Sequence, residues 1–314
     1  MRARAVRWTG AAVGLALLLA ACALLGACAA PSPKPKPAAA PLPATRTVVL
    51  RSAAGPRTAI VHRPPGRTFG ELPLVVVLHG AYGSAEQTRA TYGWDALADR
   101  EHFVVAYPNG RSHFWNAGYC CGPPHTKNVD DVAFLHDLRD VLLQRDGVDP
   151  NRVYAVGMSN GAMMTYAWAC ARPTDLAGIG PVAGALVAPC QPAPAVSVVA
   201  VHGSADRSVP INGGIGPRSV SHYDYPSLAS SLSPFVAADG CDPLPARTQH
   251  APVQFSTWTC ANDRNVVLAV VDGLGHDWPG ARPGDTLKRV LRQQPGPLDA
   301  TTFLWSHLRS SVLG

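Results

Sequence analysis

The pentapeptide GMSNG at residues 157–161 is the part of the sequence most directly suited to chemistry. It matches G-x-S-x-G, in which a serine lies on a sharp turn between a strand and a helix, with its hydroxyl exposed. Here an apolar run at 153–157 precedes the serine and a helix-like segment at 160–171 follows it. The flanking glycines let neighbouring backbones approach without a Cβ clash. This context predicts that Ser159 is a nucleophile; an ordinary glycine-rich turn is the alternative.

A serine hydroxyl needs a base to take its proton, and the base needs an acid to orient it. With this turn, the acid and the base follow in the chain order Ser, Asp, His. Asp206 comes just after an apolar run, within HGSADRSVP, and His276 lies after the last apolar run, within GLGHDWPG. We predict these two as acid and base, with an Asx-turn as the alternative for Asp206. His79 and His202 also end apolar runs, and we expect each to bond within its own loop.

An oxyanion in the tetrahedral intermediate would need two hydrogen-bond donors. The backbone N–H of Asn160, directly after the serine, is the first candidate. The second should come from the loop HGAYG at 79–83, with Ala81 as the preferred donor and Tyr82 as the reserve. A phosphate-binding loop is the alternative for this segment, but the Lys-Ser/Thr ending of such loops is missing.

These residues must be held by a scaffold, and from about residue 46 the sequence alternates short β-branched runs with segments of helical spacing. The predicted strands are 47–51, 58–62, 72–78, 103–107, 153–157, 197–202 and 266–271, and the predicted helices are 130–144, 160–171 and 301–308. This alternation predicts an α/β fold with a mostly parallel sheet flanked by helices. Residues 210–256, rich in Gly, Ser and Pro, should form a helix and long loops near the site.

The first 45 residues have the composition of a targeting segment. Three arginines precede an apolar run at 11–25, and small residues follow, which is the layout of a secretory signal. The run is shorter than the roughly 20 residues of a membrane span. Cys22 and Cys28 each end a Leu-small-small-Cys sequence that resembles a lipobox. Cys28 is the preferred lipidation site because polar, Pro-rich chain follows it, and plain cleavage with release is the alternative.

The chain therefore divides into a lipoprotein signal peptide at 1–27, a Pro-rich tether at 28–45 and one catalytic domain at 46–314. We expect an exported protein that is lipid-anchored on the outer face of the membrane or secreted. Of the formal net charge of +6, five positive charges and no acidic residue precede residue 46, which leaves +1 for the rest. So little positive charge argues against a nucleic-acid partner.

Six cysteines follow the tether, an even number that favours disulfides in an exported chain. A metal site is the alternative, but no CxxC pair has histidines at zinc spacing. We predict a bridge between Cys241 and Cys260. The pairing of the other four stays open: Cys120, Cys121, Cys170 and Cys190. The two adjacent cysteines among them are expected to bond elsewhere, because a bridge between neighbours strains the peptide.

Six segments carry a family resemblance, in the order LHGAYGSA, WNAGYCCG, VDDVAFL, DPNRVYAVGMSNGAMM, HGSADRSVP and GHDWPG. With them the chain resembles the polyhydroxybutyrate-depolymerase-like and feruloyl-esterase-type carbohydrate esterases, in particular exported actinobacterial esterase lipoproteins. The likeness covers residues 47–308. It implies a single α/β-hydrolase domain with a loop-rich insertion, and it implies the triad of Ser159, Asp206 and His276.

The resemblance also implies an oxyanion role for the loop at 80–81 and a structural or pocket role for residues 115–121. We expect Tyr82, Trp115 and Trp278 to line the substrate pocket.

The predicted activity is hydrolysis of carboxylic esters through an acyl-enzyme, with no metal or cofactor. No polymer-binding module is visible, so we expect small or oligomeric esters as substrates, of the feruloyl, acetyl or hydroxyalkanoate type. Two alternatives stay open. One is an acyltransferase of the mycolyltransferase type, which would share the fold and the triad. The other is a non-enzymatic surface-binding lipoprotein.

Overall fold

The computed structural model describes residues 44–52, 55–66, 70–261, 263–282 and 296–313. These ranges exclude the predicted signal peptide, the lipidation site Cys28 and all of the tether except its last two residues. These assignments therefore stay predictions. All described residues belong to one compact unit. Within them, no helix combines the length and apolar character that crossing a membrane requires.

A ten-stranded sheet forms the centre of the described domain. Its strands are β1 (Thr45–Ser52), β2 (Gly55–His62), β3 (Leu72–Leu78), β4 (Val104–Pro108), β5 (Val148–Met158), β6 (Gly178–Val182), β7 (Ser197–Gly203), β8 (Ala246–His250), β9 (Val253–Thr259) and β10 (Asn265–Val271). Their order is β1-β2-β4-β3-β5-β6-β7-β10-β9-β8. The six strands from β4 to β10 pair in parallel. Antiparallel strands extend both margins.

Helices cover both faces of this sheet. They are α1 (Ala85–Tyr92), α2 (Trp94–Glu101), α3 (Gly122–Thr126), α4 (Asp131–Asp146), α5 (Asn160–Ala171), α6 (Leu228–Ala238) and α7 (Ala300–Leu308). Side chains alternate across β3, so Leu74 and Val76 enter a core with α4, α5 and α6, whereas Val75 and Val77 enter a second core with α1, α2 and α7. The sheet is therefore buried on both faces, as the continuous apolar run of β3 predicts.

Every strand and helix expected from the sequence is present, with ends shifted by a few residues. β6 was missed because its sequence, GIGPV, contains the residues that usually break strands. Its glycines are needed for close packing: a methyl group on Gly180 would lie 2.8 Å from the Val156 side chain and 3.1 Å from that of Leu304. Part of the segment expected to be loops forms the hairpin of β8 and β9, and β8 is a polar, exposed edge strand.

Three disulfides join the six cysteines of the described domain. Cys241 bonds to Cys260, and Cys170 bonds to Cys190. The expectation that the adjacent pair bonds elsewhere is wrong, because Cys120 bonds to Cys121 across a cis peptide. The other four cysteines form disulfides with one another. The two neighbours lie in a tight turn, in which the Ala117 N–H donates to the Cys120 carbonyl at 2.6 Å.

Candidate active site

Ser159 lies in the turn between β5 and α5 with φ 55° and ψ −119°, a strained conformation for a residue with a side chain. Its backbone N–H donates to the carbonyl of Val182 on β6 at 2.9 Å. The turn is tight enough to require glycine: a methyl group on Gly161 would lie 2.5 Å from the carbonyl oxygens of Leu78 and His79. The start of α5 therefore packs directly on the carboxyl end of β3.

Asp206 and His276 are in direct contact in the structure. Nδ1 of His276 lies 2.8 Å from Oδ2 of Asp206, and Oδ1 of the same carboxylate accepts the N–H groups of Ser208 and Val209 at 2.8 and 2.9 Å. Burial acts to raise the pKa of Asp206, but the bond from His276 and the two N–H groups outweigh it and hold the pKa below its ordinary value. An ionised Asp206 keeps a proton on Nδ1, which leaves Nε2 able to accept one.

The order of the parallel strands brings these groups to one edge of the sheet. β5, β6, β7 and β10 are consecutive neighbours, and Ser159, Asp206 and His276 follow the carboxyl ends of β5, β7 and β10. Ser159 and His276 are both partly accessible. In the part of the chain that the structure describes, the Ser159 hydroxyl has no hydrogen-bond partner, so its contact with His276 stays a prediction. Such bonds are often long without substrate.

The loop after β3 passes beside the serine. A methyl group on Gly80 would lie 3.5 Å from Cβ of Ser159. The N–H of Tyr82, the reserve oxyanion donor, already donates to the His113 carbonyl at 2.9 Å. By contrast, the N–H groups of Ala81 and Asn160 donate to no partner among the described residues. These two backbone groups are therefore available for an oxyanion, and their role as its donors stays a prediction.

His79 orients the peptide that carries the Ala81 N–H. Nε2 of the buried ring accepts the Gly110 N–H at 2.9 Å, so Nδ1 carries the proton and donates to the Gly80 carbonyl at 2.7 Å. Burial lowers the pKa of His79 to about 4, which keeps the ring neutral near pH 7. The C=O and N–H of a trans peptide point in opposite directions. Holding the Gly80 carbonyl against His79 therefore turns the Ala81 N–H away from it. Like His79, His202 bonds its own loop, at the Val209 carbonyl.

Of the three side chains assigned to the substrate pocket, only that of Tyr82 is accessible, with 69% of its surface exposed. Trp115 is 0% and Trp278 is 2% exposed, so neither can touch a substrate in this conformation. Their indole N–H groups donate to the His79 carbonyl at 2.9 Å and to Oγ1 of Thr301 at 3.1 Å. Both tryptophans support the loops of the site from behind, which corrects their pocket assignment.

Sequence reasoning missed two supports of the segment at 115–116. The buried amide of Asn160 bonds the backbone of Trp115. The buried carboxylate of Asp131, paired with Arg57 at 2.6 Å, accepts the N–H of the next residue at 2.7 Å. The sequence offers only weak signals for either pair, because the partners lie far apart along the chain. Among the described residues, no group of three or more His, Cys, Asp or Glu side chains could hold a metal ion.

Comparison with known proteins identifies the family. The model of the family described as Esterase PHB depolymerase matches residues 58–242, which is more than half of the chain and includes Ser159 and Asp206. The chain belongs to this family. The match ends before His276, whose place in the site depends on the contact with Asp206 described above.

Several relatives are esterases or depolymerases by name. NocK of Nocardia uniformis subsp. tsuyamanensis, named as a candidate esterase, is 34% identical over 76% of this chain and 72% of its own length. Poly(3-hydroxyalkanoate) depolymerase C of Paucimonas lemoignei is 26% identical over 68% of this chain, and feruloyl esterase B of Piromyces equi is 25% identical over 70%. The chain spans only 51% and 42% of the length of these two relatives.

Solved structures show the same fold. The acetyl xylan esterase from Aspergillus awamori aligns with a TM-score of 0.54 over 78% of this chain and 98% of its own, at 14% identity. An S-formylglutathione hydrolase from Agrobacterium tumefaciens aligns with a TM-score of 0.51 over 85% and 95%, also at 14% identity. This member of the Esterase PHB depolymerase family has the α/β-hydrolase fold and is a carboxylic-ester hydrolase.

Proposed function

We propose that this esterase works through an acyl-enzyme, with Ser159 as nucleophile, His276 as general base and acid, and Asp206 as the group that orients and stabilises the imidazole. The main support for this proposal is the contact between Asp206 and His276 at 2.8 Å. It lies at the edge of the sheet where the strained Ser159 also lies. A serine at φ 55° costs conformational energy, and packing alone does not require one beside such a pair. The strain therefore supports a catalytic role for Ser159.

In the proposed first half-reaction, Nε2 of His276 takes the Ser159 proton as Oγ bonds to the ester carbonyl carbon. The carbonyl oxygen becomes an oxyanion, which accepts the N–H groups of Ala81 and Asn160. The bond to the alcohol oxygen then breaks, and the proton on Nε2 passes to that oxygen. In the second half-reaction, water loses a proton to Nε2 and attacks the acyl carbon. Collapse of this intermediate releases the acid and returns the proton to Ser159.

The proposed substrates are small or oligomeric carboxylic esters, of the feruloyl, acetyl or hydroxyalkanoate type. The names of the relatives support these acyl classes. The exposed ring of Tyr82, next to the Ala81 N–H, supports an aromatic or aliphatic acyl group, because it offers an apolar surface one residue from the proposed oxyanion donor.

We also propose that the protein is exported and tethered to the outer face of the membrane through a lipid on Cys28, with the catalytic domain at 46–314. The signal-like segment supports export, as do the three disulfides of the described domain. A Cys28→Ser variant tests the anchor: it should no longer incorporate a labelled fatty acid, and a variant that is labelled as strongly as the wild type would contradict lipidation at this residue.

Hydrolysis of p-nitrophenyl acetate to octanoate, methyl ferulate and hydroxybutyrate oligomers tests the activity. Ser159→Ala should lower kcat by at least about 10³-fold. Ser306→Ala, on the exposed side of α7, is the matched control and should keep wild-type rates. Retained hydrolysis in Ser159→Ala would refute the nucleophile. Transfer of the acyl group to added trehalose in preference to water would instead favour an acyltransferase.

A further inference from the structure

The side chain of Asn160 is buried directly behind the proposed nucleophile, with 1% of the residue exposed. Its amide faces the backbone of Trp115, and both polar groups are satisfied there. Oδ1 accepts the Trp115 N–H at 2.7 Å, and Nδ2 donates to the Trp115 carbonyl at 3.0 Å. An amide is well suited to such a reciprocal pair, because it offers an acceptor and a donor side by side. Asn160 thus joins the first turn of α5 to a loop 45 residues earlier in the chain.

The same loop continues the connection to the oxyanion peptide. The indole N–H of Trp115 donates to the His79 carbonyl at 2.9 Å, and its ring packs on the His79 ring with centroids 5.0 Å apart. His79 in turn holds the Gly80 carbonyl, as described above. The two proposed oxyanion donors, the N–H groups of Ala81 and Asn160, are therefore linked by one relay of buried and partly buried hydrogen bonds.

We propose that the side chain of Asn160 is a positioning residue that sets the spacing between the two oxyanion donors through Trp115 and His79. This inference rests on the proposed function, because it assigns the donors as that function does. Asn160 then contributes twice: its backbone N–H binds the oxyanion, and its amide holds the loop that orients the other donor. Displacing such a donor weakens its hydrogen bond to the oxyanion, since the strength of a hydrogen bond depends on alignment.

The loop has an independent anchor on its other side, which makes the inference testable in a folded variant. The N–H of Asn116 donates to Asp131 at 2.7 Å, and Asp131 is paired with Arg57 at 2.6 Å. The Arg57 guanidinium also lies over the ring of Phe134, at 3.9 Å from its centroid. These contacts do not involve Asn160, so they should retain the loop near its place when the amide is changed.

Two substitutions of similar size test the relay. Asn160→Asp replaces the donor facing the Trp115 carbonyl by a carboxylate oxygen, and Asn160→Leu removes both polar groups. We expect kcat for p-nitrophenyl butyrate to fall by about 10-fold to 100-fold, with KM within about threefold of wild type. The affinity for a trifluoromethyl ketone, which adds to Ser159 and forms an oxyanion, should fall by the same factor as kcat.

The controls separate positioning from loss of folded protein. Rates are expressed per active site, counted from the end point of reaction with a p-nitrophenyl phosphonate. Asn151→Asp, an exposed residue at the opposite end of β5, carries the same charge change and should keep wild-type kcat. If the Asn160 variants contain no active sites, Trp115→Phe replaces them: it removes the indole N–H but keeps an aromatic ring, and should lower kcat by about threefold to tenfold at constant KM.

The inference is overturned if the Asn160 variants, or Trp115→Phe in their place, keep kcat per active site within about threefold of wild type. It is also overturned if KM rises as kcat/KM falls while the ketone binds as before, because that pattern indicates a role in substrate binding. Ser159→Ala distinguishes this failure from failure of the proposed function. If Ser159→Ala is inactive and Asn160→Asp is fully active, only the positioning role is lost. If Ser159→Ala remains active, the proposed function itself fails.

Discussion

Replacing Asp206 by asparagine tests how the proposed triad controls the tautomer of His276. In the structure, Oδ1 accepts two N–H groups, from Ser208 and Val209, while Oδ2 faces Nδ1 of the imidazole. The carbonyl oxygen of an asparagine must take the place of Oδ1, which turns its NH₂ group toward His276. Nδ1 then has to accept, so the ring proton moves to Nε2, where it blocks the uptake of the serine proton.

The size of the effect follows from these contacts. Flipping the amide to restore the correct tautomer would leave two N–H groups without an acceptor, the buried one of Val209 and the partly buried one of Ser208, at a cost of at least about 2 kcal/mol. At about 1.4 kcal/mol per factor of ten, fewer than one molecule in about 30 would hold the active arrangement. We therefore expect kcat to fall by at least about 30-fold, and by up to about 10⁴-fold, which is the loss that the wrong tautomer causes when the triad aspartate of a serine protease is replaced by asparagine.

The assay is hydrolysis of p-nitrophenyl butyrate, with rates expressed per titrated active site and thermal unfolding measured in parallel. Asp272→Asn is the matched control, because Asp272 is exposed, lies in the loop that leads to His276 and accepts the Ser204 hydroxyl at 2.8 Å. It should keep wild-type kcat. A loss of less than about tenfold in Asp206→Asn would refute the tautomer argument. An equal loss in both variants would mean that only the local charge matters.

Four further changes have expected outcomes. Burial raises the pKa of Asp239 to about 7, so ionisation of this carboxyl group destabilises the fold as pH rises from about 4 through 7. Asp239→Asn should therefore increase the free energy of unfolding by about 1–2 kcal/mol at pH 8 and leave it unchanged at pH 4, measured by thermal unfolding. Gly161→Ala should lower the free energy of unfolding in urea by more than about 2 kcal/mol, because the added methyl group clashes with the Leu78 carbonyl. Replacing both Cys241 and Cys260 by serine should lower the free energy of unfolding by about 3 kcal/mol in the same assay, because the disulfide no longer restricts the unfolded chain. Tyr82→Ala should raise KM for methyl ferulate by about threefold to tenfold without changing stability, since the ring is exposed.

Each of these expectations has a contradicting result. A gain in Asp239→Asn that is the same at pH 4 and pH 8 would show that ionisation is not its cause. Wild-type stability of Gly161→Ala would mean that the turn can relax. Reducing agent that destabilises the serine double variant as much as the wild type would assign the effect to another disulfide. An unchanged KM in Tyr82→Ala, measured alongside Tyr119→Ala as a second exposed tyrosine, would remove Tyr82 from the substrate surface.

Much of the scaffold was predictable from local patterns. The buried strands β3, β5 and β7 appear as continuous apolar runs, and the helix α4 appears through its spacing. β6 was not predictable, because its glycines are there to admit neighbouring side chains, which the local pattern does not show. The exposed strand β8 was missed for the opposite reason: a polar edge strand has the composition of a loop.

The sequence by itself determined the elements of the proposed site, because each depends on residues that are adjacent in the chain. The turn at Ser159 follows from its flanking glycines, strand and helix, and the positions of Asp206 and His276 follow from the strand ends before them. What only the tertiary structure decided was which neighbours these elements meet. The burial of Trp115 and Trp278, and the pairing of the Asn160 amide with a loop 45 residues away, arise from contacts between distant segments. Such contacts form only when the sheet brings those segments together, so periodicity and motif spacing carry no record of them.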